Sequence, residues 1–208
     1  MNETTHVSRR SLIKGGLVAG AALVAGGSFL NNEKEAFAAP GDKQYGFLVE
    51  ASKCTNCLKC VNACRKANKT PQNLPARRKI TAYKREGAKD VYVTTSCMHC
   101  ENPSCAQACP AGAITKRDDG IVVVDQDRCI GCKYCYFACP FAVPKYTSDG
   151  MDKCDCCIGA GVAAGEQPNC AKACEFGALN YGEMKELEAK FRNAKRLDAP
   201  TNPSFLLA

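Results

Sequence analysis

Apolar positions along this chain come in short bursts separated by turn residues, not in long stripes. Tyr45 to Glu50 and Ala178 to Tyr181 each read as a strand. Ile80 to Tyr83 and Val91 to Thr95 lie on either side of Glu86-Gly87, as the arms of a hairpin would. Ile114-Thr115 and Ile121 to Val124 flank Asp119-Gly120, which predicts two further strands joined by a two-residue turn. Glu183 to Leu197 has the spacing of a charged, weakly amphipathic helix, ended by Ala199-Pro200-Thr201-Asn202-Pro203. The tail, Ser204 to Ala208, is apolar at Phe205, Leu206 and Leu207. It is expected to dock on a partner, with disorder as the alternative. The one long apolar run, Gly15 to Leu30, holds five glycines, too weak for a spanning helix of about 20 strongly apolar residues. The fold class this predicts is α+β, with small hairpins and short helices.

Such short elements leave little apolar surface to bury, and cysteine fills the gap. Seventeen cysteines fall into four groups: Cys54, Cys57, Cys60 and Cys64; Cys97, Cys100, Cys105 and Cys109; Cys129, Cys132, Cys135 and Cys139; and Cys154, Cys157, Cys170 and Cys174, with Cys156 left over. Groups one and three read Cys-x-x-Cys-x-x-Cys-x-x-x-Cys, the iron–sulfur run of bacterial-type ferredoxins. Three thiolates from one loop can take three irons of a cubane, and the fourth cysteine, a helical turn further on, can serve a different cluster. Four groups therefore predict four 4Fe-4S clusters, with these sixteen cysteines as cofactor-binding iron ligands. A disulfide framework is disfavoured by the odd count, the short spacings and the repeated run. Zinc ribbons do not need a third and fourth cysteine at these spacings.

The chain also repeats itself. Cys105-Ala106-Gln107-Ala108-Cys109 resembles Cys170-Ala171-Lys172-Ala173-Cys174, and Cys54 to Cys64 resembles Cys129 to Cys139. Proline follows Cys109 and Cys139 but not Cys64 or Cys174. Groups two and three thus form an inner ferredoxin-like module (about 92–145), interleaved with an outer one made from groups one and four (about 45–64 plus 150–182). Together they occupy residues 39–185, and 183–208 form the C-terminal helix and tail.

Ser8-Arg9-Arg10-Ser11-Leu12 ahead of the mild apolar run, with Ala36-Phe37-Ala38 after it, marks residues 1–38 as a twin-arginine signal peptide. The expected location is the periplasm or the outer face of the cytoplasmic membrane. That route carries folded proteins, which suits clusters assembled in the cytoplasm. The formal net charge is +7, but four thiolate-held cubanes at about −2 each offset it. With no tryptophan and no basic stripe, nucleic acid is not an expected partner. No catalytic constellation occurs, so the chain reads as non-catalytic.

Four groups in this order, with the wider Cys97-x-x-Cys100-x-x-x-x-Cys105 and the split group four, resemble the B-type iron–sulfur subunits of the dimethyl sulfoxide and polysulfide reductase and periplasmic nitrite-reductase-system family. The resemblance covers roughly residues 45–185. It implies a subunit relaying electrons between an integral membrane quinone-reactive protein and a catalytic oxidoreductase subunit, commonly one with molybdopterin. The alternatives are a free-standing exported polyferredoxin, or the equivalent subunit of a formate dehydrogenase, hydrogenase or nitrite reductase system. The family pattern assigns Cys54, Cys57, Cys60 and Cys174 to the cluster nearest the catalytic partner. Cys64, Cys154, Cys157 and Cys170 take the next, and Cys97, Cys100, Cys105 and Cys139 the third. Cys129, Cys132, Cys135 and Cys109 take the fourth, on the membrane side. Cys156 is read as a spare thiol, His99 as a hydrogen-bonding or packing neighbour of a cluster, and Lys172 and Glu175 as charges beside Cys174.

Overall fold

The computed structural model describes residues 43–208 except Asp149; the leader assigned to 1–38 lies outside the described residues. In chain order the elements are β1 (Tyr45–Val49), α1 (Lys59–Ala67), β2 (Lys79–Tyr83), β3 (Val91–Thr95), α2 (Ser104–Gln107), β4 (Ile114–Lys116), β5 (Val122–Val124), α3 (Tyr134–Ala138), β6 (Lys145–Thr147), β7 (Gly150–Asp152), α4 (Asn169–Lys172), β8 (Leu179–Glu183), α5 (Met184–Lys190), β9 (Lys195–Arg196) and β10 (Phe205–Leu207). The fold is α+β: one four-stranded sheet ordered β8-β1-β10-β9, and three hairpins, β2–β3, β4–β5 and β6–β7.

β1 lies inside the sheet, antiparallel to β8 and parallel to β10, so both its edges are paired; with its two faces packed as well, Phe47, Leu48 and Val49 are all buried. Successive strand side chains point to opposite faces. Phe47 and Val49 accordingly join Leu179, Tyr181 and Phe205 in a core that also holds Cys60, Cys64, Cys97, Cys154 and Cys170. Leu48 and Leu206 face the other way, under Met184 and Leu187 of α5. The sheet thus separates an aliphatic layer from a sulfur-rich one. Gly46 permits the closest approach: a Cβ there would sit 2.2 Å from the Ser204 carbonyl oxygen and 2.5 Å from Met184 Sδ.

Three sequence expectations change in the structure. The β4–β5 turn is longer than two residues. Arg117 N–H donates to Ile121 O (3.0 Å), Gly120 N–H donates to Arg117 O (2.9 Å), and Gly120 sits at φ +80. Asp118, Asp119 and Gly120 therefore form the loop, a turn closed by a left-handed glycine. The helix expected over 183–197 stops at Lys190, because Lys195–Arg196 must turn back as β9 to pair with β10. The apolar tail neither frays nor waits for another protein. It is β10, pairing Phe47↔Phe205, Leu48↔Leu206 and Val49↔Leu207 in the chain's own sheet.

The internal repeats reappear as backbone. Pro103 and Pro168 precede α2 and α4. After them Cys109 N–H donates to Ala106 O and Cys174 N–H to Ala171 O, both at 3.1 Å. Gly112 and Gly177 then turn at φ +57 and +63. α1 packs against α4, and α2 against α3.

Candidate metal centres

The first Cys-x-x-Cys loop of each group is curled at the same place. The second spacer is Asn56 (φ +57), His99 (+43), Gly131 (+66) or Cys156 (+57), all left-handed. Leu58 (+61) and Lys133 (+67) repeat the twist at the starts of α1 and α3. A left-handed residue other than glycine costs about 1–2 kcal/mol, and such conformations persist where surrounding structure over-determines them. Backbone N–H groups also face sulfur: Ala113 to Cys109 Sγ (3.3 Å), Leu179 to Cys174 Sγ (3.3 Å), Met151 to Cys129 Sγ (3.4 Å) and Cys156 to Cys154 Sγ (3.4 Å).

The thiols have the following sulfur neighbours, with the sets numbered in the order the family resemblance gives them. Burial pushes Cys54 up, and Cys60, Cys174 and Cys57 are the neighbouring sulfurs that add to it. Cys64 is pushed up to about 12 by burial and by Cys154, Cys170 and Cys157. Cys105 is pushed up to about 12 by burial, with Cys97, Cys139 and Cys100 beside it. Cys135 is raised by burial, with Cys132 and Cys109 close by, and Cys129 lines the same small cavity. Cys170, raised by burial to about 11, is held back by the nearby Arg78 guanidinium.

The helices bind these sets in pairs. α1 carries Cys60 of the first set and Cys64 of the second, while α4 carries Cys170 of the second and leads to Cys174 of the first. α2 and α3 do the same for the third and fourth sets, through Cys105 and Cys109, Cys135 and Cys139. Second and third meet where Cys154 lies among the charge neighbours of Cys97. The order is therefore first, second, third, fourth. Burial follows it: all four cysteines of the second set are buried, whereas the first and fourth each expose one, Cys57 and Cys132.

Burial and neighbouring sulfurs push Cys64, Cys100, Cys105 and Cys170 toward the protonated form. Metal binding supplies the missing cation. The buried side chains between the sets imply the complementary need. Arg78 lies beside sulfurs of the first and second sets, and its Nε has no hydrogen-bond partner. Lys153, also buried, donates to Cys154 O (3.0 Å) and to Val122 O. A buried cation beside a metal-free set of thiols is poorly compensated, but beside an anionic iron–sulfur cubane it is matched. Donor set, loop curvature and buried cations all fit such clusters.

Cys156 and His99 form a knot at the junction of the second and third sets. His99 Nδ1 accepts the Val122 N–H (3.1 Å), which leaves Nε2–H facing Cys156 Sγ (3.3 Å). Cys154 lies within 4.8 Å of both. The Cys156 and His99 hydrogen bonds hold Cys154 well below the usual thiol range. Glu175 forms an exposed ion pair with Lys59 of α1. Sequence reading missed Arg78, Lys153 and Thr94; a basic residue beside a strand ordinarily reads as solvent-facing, and nothing local marks Arg78 and Lys153 as buried.

The pattern that defines the 4Fe-4S dicluster domain matches residues 88–184. The B component of anaerobic dimethyl sulfoxide reductase from Escherichia coli is 40% identical over 159 residues, covering 71% of this chain and 77% of that protein. The thiosulfate reductase electron transfer subunit of Salmonella typhi is 38% identical over 153 residues (70% and 79%). The B component of tetrathionate reductase from Salmonella typhimurium is 37% identical over 150 residues (69% and 59%).

Proposed function

The protein belongs to the family of iron–sulfur electron-transfer subunits that includes the B component of anaerobic dimethyl sulfoxide reductase, and we propose that its sixteen grouped cysteines hold four 4Fe-4S clusters in series. When bound, each cluster supplies a one-electron carrier. The chain's part is to fix the order of the sites, exclude water from the inner ones and leave the two ends accessible. The observation that carries the reading is that gradient of burial, with Cys57 and Cys132 exposed at opposite ends of the series and every second-set cysteine buried.

The exposed ends also carry apolar side chains. Leu58 and Phe176 flank the first. Ile130, Tyr134, Tyr136 and Phe137 surround the fourth, and Phe137 is 82% exposed. Contiguous exposed apolar groups mark interaction surfaces. Following the family resemblance, the first end meets the catalytic subunit, one with molybdopterin, and the fourth meets an integral membrane quinone-reactive subunit. No helix among the described residues is long and apolar enough to cross a membrane, so the membrane is reached through that partner. Export by the twin-arginine route, to the periplasmic side, rests on Arg9-Arg10 and the apolar run after them.

Iron and acid-labile sulfide analysis of anaerobically purified protein tests the cluster count. About sixteen of each per chain is expected, four per cubane. Zinc, or about eight irons, overturns it.

A further inference from the structure

Arg78 is one of the most deeply buried side chains in the molecule, at 1% exposure. It stands just before β2, and the β2–β3 register sets it beside the far end of the partner strand. There Nη1 donates to Thr94 Oγ1 (3.2 Å) and Nη2 to Ser96 Oγ (2.9 Å). The guanidinium carbon also sits 4.6 Å from the centre of the Phe47 ring. None of these groups carries a negative charge, and no carboxylate among the described residues forms an ion pair with Arg78. Arginine stays protonated in proteins. An unpaired buried charge costs several kcal/mol, so the fold must supply an anion near it.

The neighbouring groups that favour its charge are sulfurs: Cys170, Cys154, Cys60 and Cys64. Cys60 belongs to the first set; the other three belong to the second. Thr94 extends the contact. Its oxygen accepts from Arg78, which leaves its own proton to face Cys60 Sγ at 3.5 Å.

We propose that Arg78 is a positioning residue for electron transfer, a single buried cation shared by the first and second clusters that holds both reduction potentials up. The inference rests on the four-cluster reading. Adding an electron makes a cluster more negative, and a fixed cation nearby favours that reduced form. Because one charge faces two sites, its removal must move two potentials together. It must also leave the third and fourth clusters, beyond the His99–Cys156 junction, where they were.

The test is an anaerobic redox titration followed by electron paramagnetic resonance, on the native chain and on Arg78→Gln and Arg78→Lys. Iron and sulfide are counted first, and a native chain short of sixteen irons counts against the four-cluster reading, not against the role of Arg78. In iron-replete Arg78→Gln, the first and second clusters should titrate at lower potential and the third and fourth at their native values. Unchanged potentials, a shift in only one of the first two, or an equal shift in all four would overturn the proposal. If Arg78→Gln is iron-poor, Arg78→Lys decides. With the cation kept, it should load fully and titrate near the native values. A loaded Arg78→Lys with lowered potentials shows that the fork of hydrogen bonds matters and not the charge. An Arg78→Lys as iron-poor as Arg78→Gln overturns the proposal equally.

Discussion

His99 and Cys156 occupy the same position in two different Cys-x-x-Cys loops, share a left-handed backbone (φ +43 and +57), and meet through Nε2 and Sγ at 3.3 Å. The contact joins the loop of the third set to the loop of the second. His99 is anchored from its backbone too, since Gln44 Nε2 (3.1 Å) and Ser204 Oγ (2.9 Å) both donate to its carbonyl oxygen. The seventeenth cysteine is therefore a hydrogen-bonded member of the junction between two sets.

Two substitutions separate these roles. Cys156→Ser should keep the full iron content, because Cys154, Cys157, Cys170 and Cys64 already complete that set. His99→Leu strips the buried Val122 N–H of its acceptor, and an orphaned buried donor costs about 1–3 kcal/mol. Its anaerobic unfolding midpoint should fall while that of Cys156→Ser stays close to native. Loss of about four irons in Cys156→Ser would make this thiol a ligand.

The crossing of Cys64 and Cys174 between sets predicts which cluster each supports. Cys174→Ser should damage the cluster held by Cys54, Cys57 and Cys60, because Cys174 is among the sulfurs neighbouring Cys54. The cluster of Cys154, Cys157 and Cys170 should survive. Electron paramagnetic resonance of the reduced variant distinguishes the two, and loss of the second signal with the first intact would refute the exchange.

Deleting Ser204 to Ala208 should be severe, although these residues end the chain. The cut removes the strand between β1 and β9 and uncovers Phe47 and Leu48. It also takes away the Ser204 carbonyl that accepts Phe47 N–H at 3.1 Å. Phe205→Ala alone, at a fully buried site, should cost about 3–5 kcal/mol, read as a lowered thermal midpoint in the isolated chain. If the tail served only to dock on a partner, isolated stability would not change.

Replacing Arg9-Arg10 by Lys-Lys should leave a loaded protein in the cytoplasm, since assembly and export are separate steps. Fractionation that still finds it outside the membrane would show that another route carries it.

What the sequence disclosed tracks how local each signal is. Cysteine spacing is a local code, so the α2/α4 repeat was legible: Cys105–Cys109 and Cys170–Cys174 carry the same turn because they differ only at Gln107 and Lys172. The ends of elements were not, because distant pairing decides them. Nothing within Glu183–Leu197 says that Lys195 must turn back to meet Leu207, and nothing in Phe205-Leu206-Leu207 distinguishes a partner's groove from the chain's own β1. The left-handed second spacer was half hidden because Gly131 and Asn56 suit it by residue type, whereas His99 and Cys156 are held there by the loop. Arg78 was least legible of all, since Thr94 and Ser96, which accept its hydrogen bonds, and its sulfur neighbours from groups one and four all lie far from it in sequence.

The fourth set offers the most direct test of how the chain meets its surroundings. Ile130, Tyr134, Tyr136 and Phe137 are exposed and neighbour exposed Cys132 in sequence, and Tyr136 and Phe137 pack edge-on, ring centres 5.6 Å apart. Phe137 contributes little to the interior at 82% exposure, so Phe137→Asp should leave iron content and thermal midpoint within error of native. A buried interface would instead have to desolvate the new carboxylate, which costs several kcal/mol where it finds no partner. If the fourth end meets a membrane subunit as proposed, co-purification with that subunit should fall at least tenfold, the equivalent of about 1.4 kcal/mol, together with reduction by quinol analogues. On the same proposal, Leu58→Asp, at the opposite end, should weaken association with the catalytic subunit and spare the membrane one. If both substitutions impair the same partner, the two ends do not serve different proteins and the polarity of the series is wrong.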